Sequence, residues 1–318
     1  MKFLRLFGST SQRDAVLASI DYKILQKTAG VPGVSILQGQ GGGPVPPPVP
    51  PSPDPTVPFY IEDISGSTNT VQIKKNTKRA PTITIEKSTD GTTWESMGST
   101  STTAITVTIP TNGKLYLRCS ATQWGGSSSM YNTINTTGNS NVGGNIMSLL
   151  YGSNFTGNET TFPSSLDYNY NFYRLFFGNT YLVDASNLLL PATTLTKYCY
   201  GGMFGNCSAL TNAPELPATT LYSWCYYQMF HNCTSLTTTP TLPATTLIGG
   251  CYKQMFNGCT NLNYIQCLAT DISASDCTTD WTNGVAATGT FIKDPSMESW
   301  ETGANGIPSG WTVEDAAA

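Results

Sequence analysis

Hydrophobic positions along the chain fall into zones with different periods, and each zone predicts a different kind of element. Residues 10–29 carry Leu17, Ile20 and Ile24 at 3 and 4 spacing, flanked by Val16 and Leu25, which predicts one amphipathic helix. Ser11 stands at its N-cap with Asp14 three residues on, and Lys27, Gly30 and Pro32 close it. A lone helix cannot bury such a stripe by itself. The stripe either packs on the following domain or docks on a larger assembly or on copies of the chain. Leu17, Ile20 and Ile24 are therefore candidate anchor residues.

The pattern then lapses into three glycines, 41–43, and a proline-rich run over 44–58. Such a run favours polyproline II, so its fifteen residues reach on the order of 45 Å. A hinge followed by a stiff spacer suits an anchor that holds something away from a surface.

Over residues 59–122 the period shortens to two. Segments 59–64, 71–75, 81–87, 103–109 and 114–119 are rich in Thr, Ile and Val and predict the strands of a small Ig-like β-sandwich. Asp90-Gly91 is a hairpin-turn signal. Ser88 through Trp94 resembles a shortened sialidase Asp-box, a structural hairpin element with no catalytic role. Residues 123–146, rich in Ser, Asn and Gly, show no clear period and are assigned to an irregular entry segment.

A repeat dominates the remainder. Leu-Pro-Ala-Thr-Thr-Leu stands at 190–195, 216–221 and 242–247, a period of 26. Cys199/Cys225/Cys251, Cys207/Cys233/Cys259, Met203-Phe204 and its two copies, and Leu210/Leu236/Leu262 keep that period. Degenerate copies precede it, around 147–150 and 176–179, and follow it at Leu268, Cys277, Trp281 and Asn283-Gly284. Five or six units with atypical ends are the signature of a capped solenoid. Cys199, Met203 and Cys207 at i, i+4 and i+8, with Tyr200 and Phe204 at i+1 and i+5, predict a helical turn with one buried side. Leu210 begins a short strand over 210–214, and Pro191 and its copies break the chain before the next helical segment. Residues 123–288 are thus the solenoid with its entry segment, and 289–318 a C-terminal cap.

Composition narrows the function. Only 11% of residues are charged and the formal net charge is −4. Between Ala185 and Ile265 the charged residues are Lys197, Glu215 and Lys253. No basic field gathers phosphates there, which argues against nucleic-acid binding. No apolar run approaches the roughly 18–20 residues that span a bilayer, so no membrane insertion is expected. The apolar stretch at residues 3–7 is interrupted by Arg5 and too short for a signal peptide, so the nine cysteines are expected to fold reduced. Equivalent cysteines in adjacent coils would lie within disulfide range, yet parallel side chains rarely present the required torsion; buried free thiols are the expected state. Cys-x7-Cys spacing and a single histidine, His231, speak against zinc. His231 occupies a variable position and is expected on the surface. No phosphate loop, metal cluster or triad is visible, and none of Asp167, Asp184, Asp271, Asp276 and Asp280 stands out. No cofactor and no enzyme activity are expected. The variable positions of the repeat bring Tyr198, Trp224, Tyr227 and Lys253 forward as a candidate ligand-binding face suited to glycans or a protein receptor.

The motifs Leu-Pro-Ala-Thr-Thr-Leu, Cys-Tyr-x-x-Met-Phe and Asn-Cys-Thr-Ser-Leu resemble the BspA-like leucine-rich repeats of gut-bacterial surface proteins and of virion proteins of their phages. Residues 144–152 resemble the entry segment of that group, and 289–293 with 306–313 its C-terminal cap. The resemblance covers 60–318 and implies a mainly β fold with short helices, ending in a leucine-rich-repeat solenoid that adheres rather than catalyses. Residues 1–40 lie outside it and resemble the virion anchors of phage head and tail fibres. The expected protein is a phage head fibre, decoration or tail-associated fibre, bound through its N-terminus to capsid or tail proteins and through its repeats to a host-surface protein or glycan. A homo-oligomer, with a trimer as the guess, is the expected assembly. A bacterial cell-surface adhesin is the alternative.

Overall fold

A computed structural model describes residues 52–121, 123–163 and 170–317. The expected helix over 10–29, with Leu17, Ile20 and Ile24, lies outside the described residues, as does most of the proline-rich run. Ser52–Ala318 is one compact unit. It is mainly β, with one short helix among the described residues.

The first part holds two sheets whose strands alternate buried and exposed residues with the expected period of two. Strands β1 (Tyr60–Asp63), β2 (Asn69–Lys75), β3 (Thr84–Ser88), β5 (Ile105–Ile109) and β6 (Lys114–Arg118) fall within the five predicted segments or within two residues of them. Strand β4 (Glu95–Ser99) was not predicted; its residues are mostly exposed and polar, so no hydrophobic alternation marks it. The β3–β4 connection is a longer loop than a two-residue turn, since Lys87 pairs with Glu95. Asp90 Oδ1 closes that loop by accepting the backbone N–H groups of Thr92 and Thr93, both at 2.7 Å.

The boundary expected at residue 122 moves. Strands β7 (Gly125–Ser127), β8 (Met130–Thr136) and β9 (Ser140–Asn145) belong to the two sheets, not to an irregular entry into the repeats. The four-stranded sheet runs β5-β2-β8-β7. The six-stranded sheet runs β10-β9-β1-β6-β3-β4, where β10 is Leu182–Leu189. Asn, Ser and Gly mask these strands in the sequence because many sit where only a small or hydrogen-bonding residue fits. A Cβ on Gly143 would fall within 2.4 Å of the Tyr60 ring. Strand β10 pairs in parallel with β9, so the repeats begin inside the sheet instead of after a linker. Between them lie the short helix α1 (Ser148–Tyr151) and a 3-10 turn, Gly152–Asn154.

The repeat units carry no α-helix. Each is a ribbon of consecutive turns in which every fourth residue is left-handed: Tyr198, Gly202 and Asn206, then Trp224, Gln228 and Asn232, then Gly250, Gln254 and Gly258, with φ between 54° and 68° except 79° at Gly258. Alternate N–H groups close turns within the unit, as Met203 N to Tyr200 O and Cys207 N to Phe204 O. The others reach the next unit: Tyr200 N to Cys225 O, Gly202 N to Tyr227 O, Phe204 N to Met229 O. The pattern repeats one unit on with Tyr226, Gln228 and Phe230 as donors. The helical expectation fails because i, i+4 and i+8 fits a true period of four as well as it fits 3.6. The strand expected at 210–214 is also absent; a single parallel bridge, Asp184 to Asn212, stands in its place. Pro214 has no N–H to extend the ladder. Where the proline is missing, β11 (Tyr264–Cys267), β12 (Thr290–Lys293) and β13 (Thr312–Asp315) form a parallel three-stranded sheet at the far end.

Side chains stack in buried columns beneath these bonds. Phe176, Phe204, Phe230 and Phe256 have centroids 5.3, 5.4 and 5.8 Å apart. Phe172, Tyr200, Tyr226, Tyr252 and Trp281 form a second column at 5.9–6.1 Å. Trp300 stacks on Trp281 at 5.6 Å and closes this end. All nine cysteines are buried free thiols. Those of Cys207, Cys233 and Cys259 donate to the carbonyls of Phe176, Phe204 and Phe230 at 3.0–3.1 Å. A residue here must be small, apolar and able to offer one weak donor, which is what a thiol supplies.

Two predictions follow from this packing. Burial pushes Cys199, Cys259 and Cys267 up to about 12, so no thiolate is present at neutral pH. The native protein is expected to resist a thiol-disulfide reagent such as dithionitrobenzoate, and all nine thiols to react once urea unfolds it; fast native labelling would show that the columns open. The second concerns Asp63, where burial would raise the carboxyl but hydrogen bonds from Ser65, Asn112 and Asn69 outweigh it and bring it to about 2. That carboxylate joins the end of β1 to β2 and to the turn before β6. Because the folded pKa lies below the ordinary 3.8, the stabilisation is complete above that value and is lost as pH falls through about 2. Asp63→Ala is expected to cost about 2 kcal/mol at pH 7 and much less at pH 2, measured by urea unfolding at both.

Candidate functional site

Left-handed positions point their side chains away from the buried columns, and identical positions in successive units therefore line up on the outside. Tyr198 and Trp224 occupy one such column, and Gly250 and Asp276 continue it. Tyr173, Gly201, Tyr227 and Lys253 occupy the neighbouring column. The four residues singled out in the sequence meet here. Tyr198 stacks on Trp224 at 5.7 Å, Tyr227 packs edge-on against both, and Lys253 Nζ lies 5.4 Å from the Trp224 ring centroid. Lys253 also pairs with Asp276 at 3.2 Å.

The ridge extends further than the repeat pattern suggested. Tyr170 stacks on Tyr198 at 4.9 Å, Tyr173 sits edge-on to both, and Tyr131 on β8 meets Tyr173 at 5.9 Å. Arg174 lies 4.5 Å from the Phe177 centroid and 5.3 Å from those of Tyr131 and Tyr173. Tyr170, Tyr173, Arg174 and Tyr131 escaped the sequence reading because the first unit is degenerate and Tyr131 lies outside the repeats. The clue available was the offset: Tyr173 and Arg174 precede Gly201 and Gly202 by 28 residues, and glycines leave room for large neighbours. A Cβ on Gly201 would fall 2.9 Å from Tyr173, and one on Gly202 2.9 Å from Arg174.

Tyr170, Tyr198 and Trp224 face one another along the stack, so their edges meet the solvent, while Tyr173 is buried behind them. Burial raises the Tyr173 phenol to about 12 and pushes Tyr170 and Tyr198 up as well. These three phenols therefore keep their protons at physiological pH. His231, expected on the surface, is instead partly buried, with Nδ1 lacking a partner; burial and nearby Arg174 lower it, so it is neutral. Asp184 and Asp271 accept hydrogen bonds from Ser186 and Ser273 two residues on, and Asp276 holds Lys253. Asp167 lies outside the described residues. Among the described residues no three His, Cys, Asp or Glu side chains cluster as metal ligands, and no helix is long and apolar enough to cross a membrane.

Set against known families, characterised proteins and solved structures, the chain matches none.

Gly250 sets the end of the stack. Its φ is +68°, and a Cβ there would lie 2.7 Å from the Trp224 ring. Gly250→Ala is expected to destabilise by about 1–2 kcal/mol and to displace Trp224, read as a changed near-ultraviolet circular dichroism spectrum with the far-ultraviolet spectrum preserved.

Proposed function

We propose that this is a non-enzymatic display protein of a phage virion, a head fibre, decoration or tail-associated fibre. In this reading an Ig-like β-sandwich carries a BspA-type leucine-rich-repeat solenoid, and the aromatic ridge adheres to a host-surface protein or glycan. The observation that carries it is the ridge itself: eight large side chains from two structural parts, in contact along a hydrogen-bonded stack, none of them a member of the buried columns. Aromatic rows with polar edges suit recognition of hydroxyl-rich or peptide surfaces. The sheet shared through β9 and β10 keeps the ridge at a fixed orientation to the rest of Ser52–Ala318. Residues 1–40 would hold the chain to capsid or tail, as a homo-oligomer, with the proline-rich run as spacer.

Electron cryo-microscopy with mass spectrometry of virions from the source culture tests this. The chain is expected in purified particles, with residues 1–40 ordered against a capsid or tail protein. Finding it on the cell envelope and absent from particles would replace the virion reading with that of a bacterial adhesin. Tyr198→Ala with Trp224→Ala is expected to abolish adhesion of the protein to host cells while leaving its unfolding cooperative.

A further inference from the structure

Where the ridge runs off the repeats, it ends in a cleft. Strand β8 lies beside β2 with Lys74 opposite Thr133. The two-residue period puts Lys74, Tyr131, Thr133 and Asn135 on one face of the four-stranded sheet, away from the buried Ile73 and Ile134. The first repeat runs beside β8, where Ile134 N donates to Leu175 O at 2.7 Å, and its Phe177 and Gly178 complete the lining. The space left is about 480 Å³, the size of a small-ligand site.

Its chemistry is one-sided. Lys74 lines it and Arg174 stands at its edge, held between the Phe177, Tyr131 and Tyr173 rings. Neither cation has a carboxylate within salt-bridge distance among the described residues, and no acid lines the cleft. Among the described residues the one side-chain hydrogen bond of Arg174 is Nη1 to Tyr131 Oη at 3.3 Å, and its buried Nε has no partner there, nor has Asn135 Oδ1. An arginine fixed on aromatic rings, with its donors unspent, is preorganised for an oxyanion. Besides Lys74 and Lys75, whose ammonium group is taken up by Thr82, the lining is made of hydroxyls, amides and aromatic rings. That mixture suits a sugar that bears an anion better than it suits a polyanion such as nucleic acid.

We propose that this cleft binds the carboxylate- or sulfate-bearing residue of an acidic glycan, whose neighbouring sugars run on towards Tyr173 and Tyr198. The proposal rests on the adhesive reading of the ridge and names its ligand class. Lys74 and Arg174 take the anionic group, Thr133 and Asn135 meet ring hydroxyls, and Tyr131 and Phe177 flank the pyranose.

Calorimetry of the whole chain with an oligogalacturonate hexamer, a heparin-derived sulfated hexasaccharide and neutral maltohexaose tests it. At least one of the two anionic sugars is expected to bind, more weakly at high salt, and maltohexaose not to bind; the pair separates carboxylate from sulfate. Lys74→Glu, at an exposed position, is expected to weaken binding at least about tenfold, and Arg174→Gln likewise. Val313→Ala, at an exposed position of β13 outside both the cleft and the ridge, is expected to change it less than about threefold. Binding of maltohexaose that survives Lys74→Glu and vanishes in Trp224→Ala would overturn the cleft and leave the adhesive ridge standing. Equal binding of a polyglutamate peptide would overturn the saccharide assignment. No binding of either anionic sugar at millimolar concentration would overturn the cleft, while the virion experiment decides the adhesive reading separately.

Discussion

Alternation of hydrogen-bond partners along the turn ribbons is the constraint on which the rest of the molecule depends. A left-handed residue every fourth position turns every second N–H out of its own unit and into the next. An α-helix in the same place would satisfy its own backbone and leave nothing to bind the units together. Here each unit completes its neighbour, so no unit has a satisfied backbone alone, and the stack is stabilised as a whole. The buried columns are a consequence: once the backbone fixes the spacing between units, phenylalanine rings 5.3–5.8 Å apart fill it.

The same constraint makes the outer face. Left-handed backbone costs about 1–2 kcal/mol for a residue with a Cβ, and the chain offsets that at several positions by pairing the side chains concerned. Tyr198 stacks on Trp224, Gln228 bonds to Gln254 at 2.8 Å, and Asn232 bonds to Asn206 at 2.9 Å. The ridge is thus an outcome of backbone geometry, and a ligand would meet side chains already ordered, with little entropy left to lose. Its continuation onto Tyr131 depends on a different feature, the parallel pairing of β9 with β10, which merges sheets and repeats into one body.

Much of this was legible in the residues. The period of 26, the identity of the buried positions and the five strands with regular alternation all appear as pattern, because burial selects residue type directly. Tyr198, Trp224, Tyr227 and Lys253 could be chosen together because an exact repeat carries them to equivalent places. The left-handed positions were also visible in part, as Gly202, Asn206, Asn232, Gly250 and Gly258 at places four or eight residues apart within a unit, but tyrosine, tryptophan and glutamine fill the others and hide the rule. Strands β7 to β9 were illegible because glycine and asparagine there answer to tight contacts and side-chain hydrogen bonds, not to burial of apolar area.

What the sequence by itself determined is which side chains are inside and at what interval they recur, since hydrophobic burial acts residue by residue. Only the tertiary structure decided how the backbone between them runs, because a spacing of four satisfies a helix and a turn ribbon equally and the choice rests on hydrogen bonds to a neighbouring unit. It alone also brought Lys74, Tyr131 and Phe177 to one cleft, with Arg174 against the Tyr131 and Phe177 rings. Those residues come from β2, β8 and the first repeat, and their meeting depends on sheet register and on packing between distant segments, which no local pattern encodes.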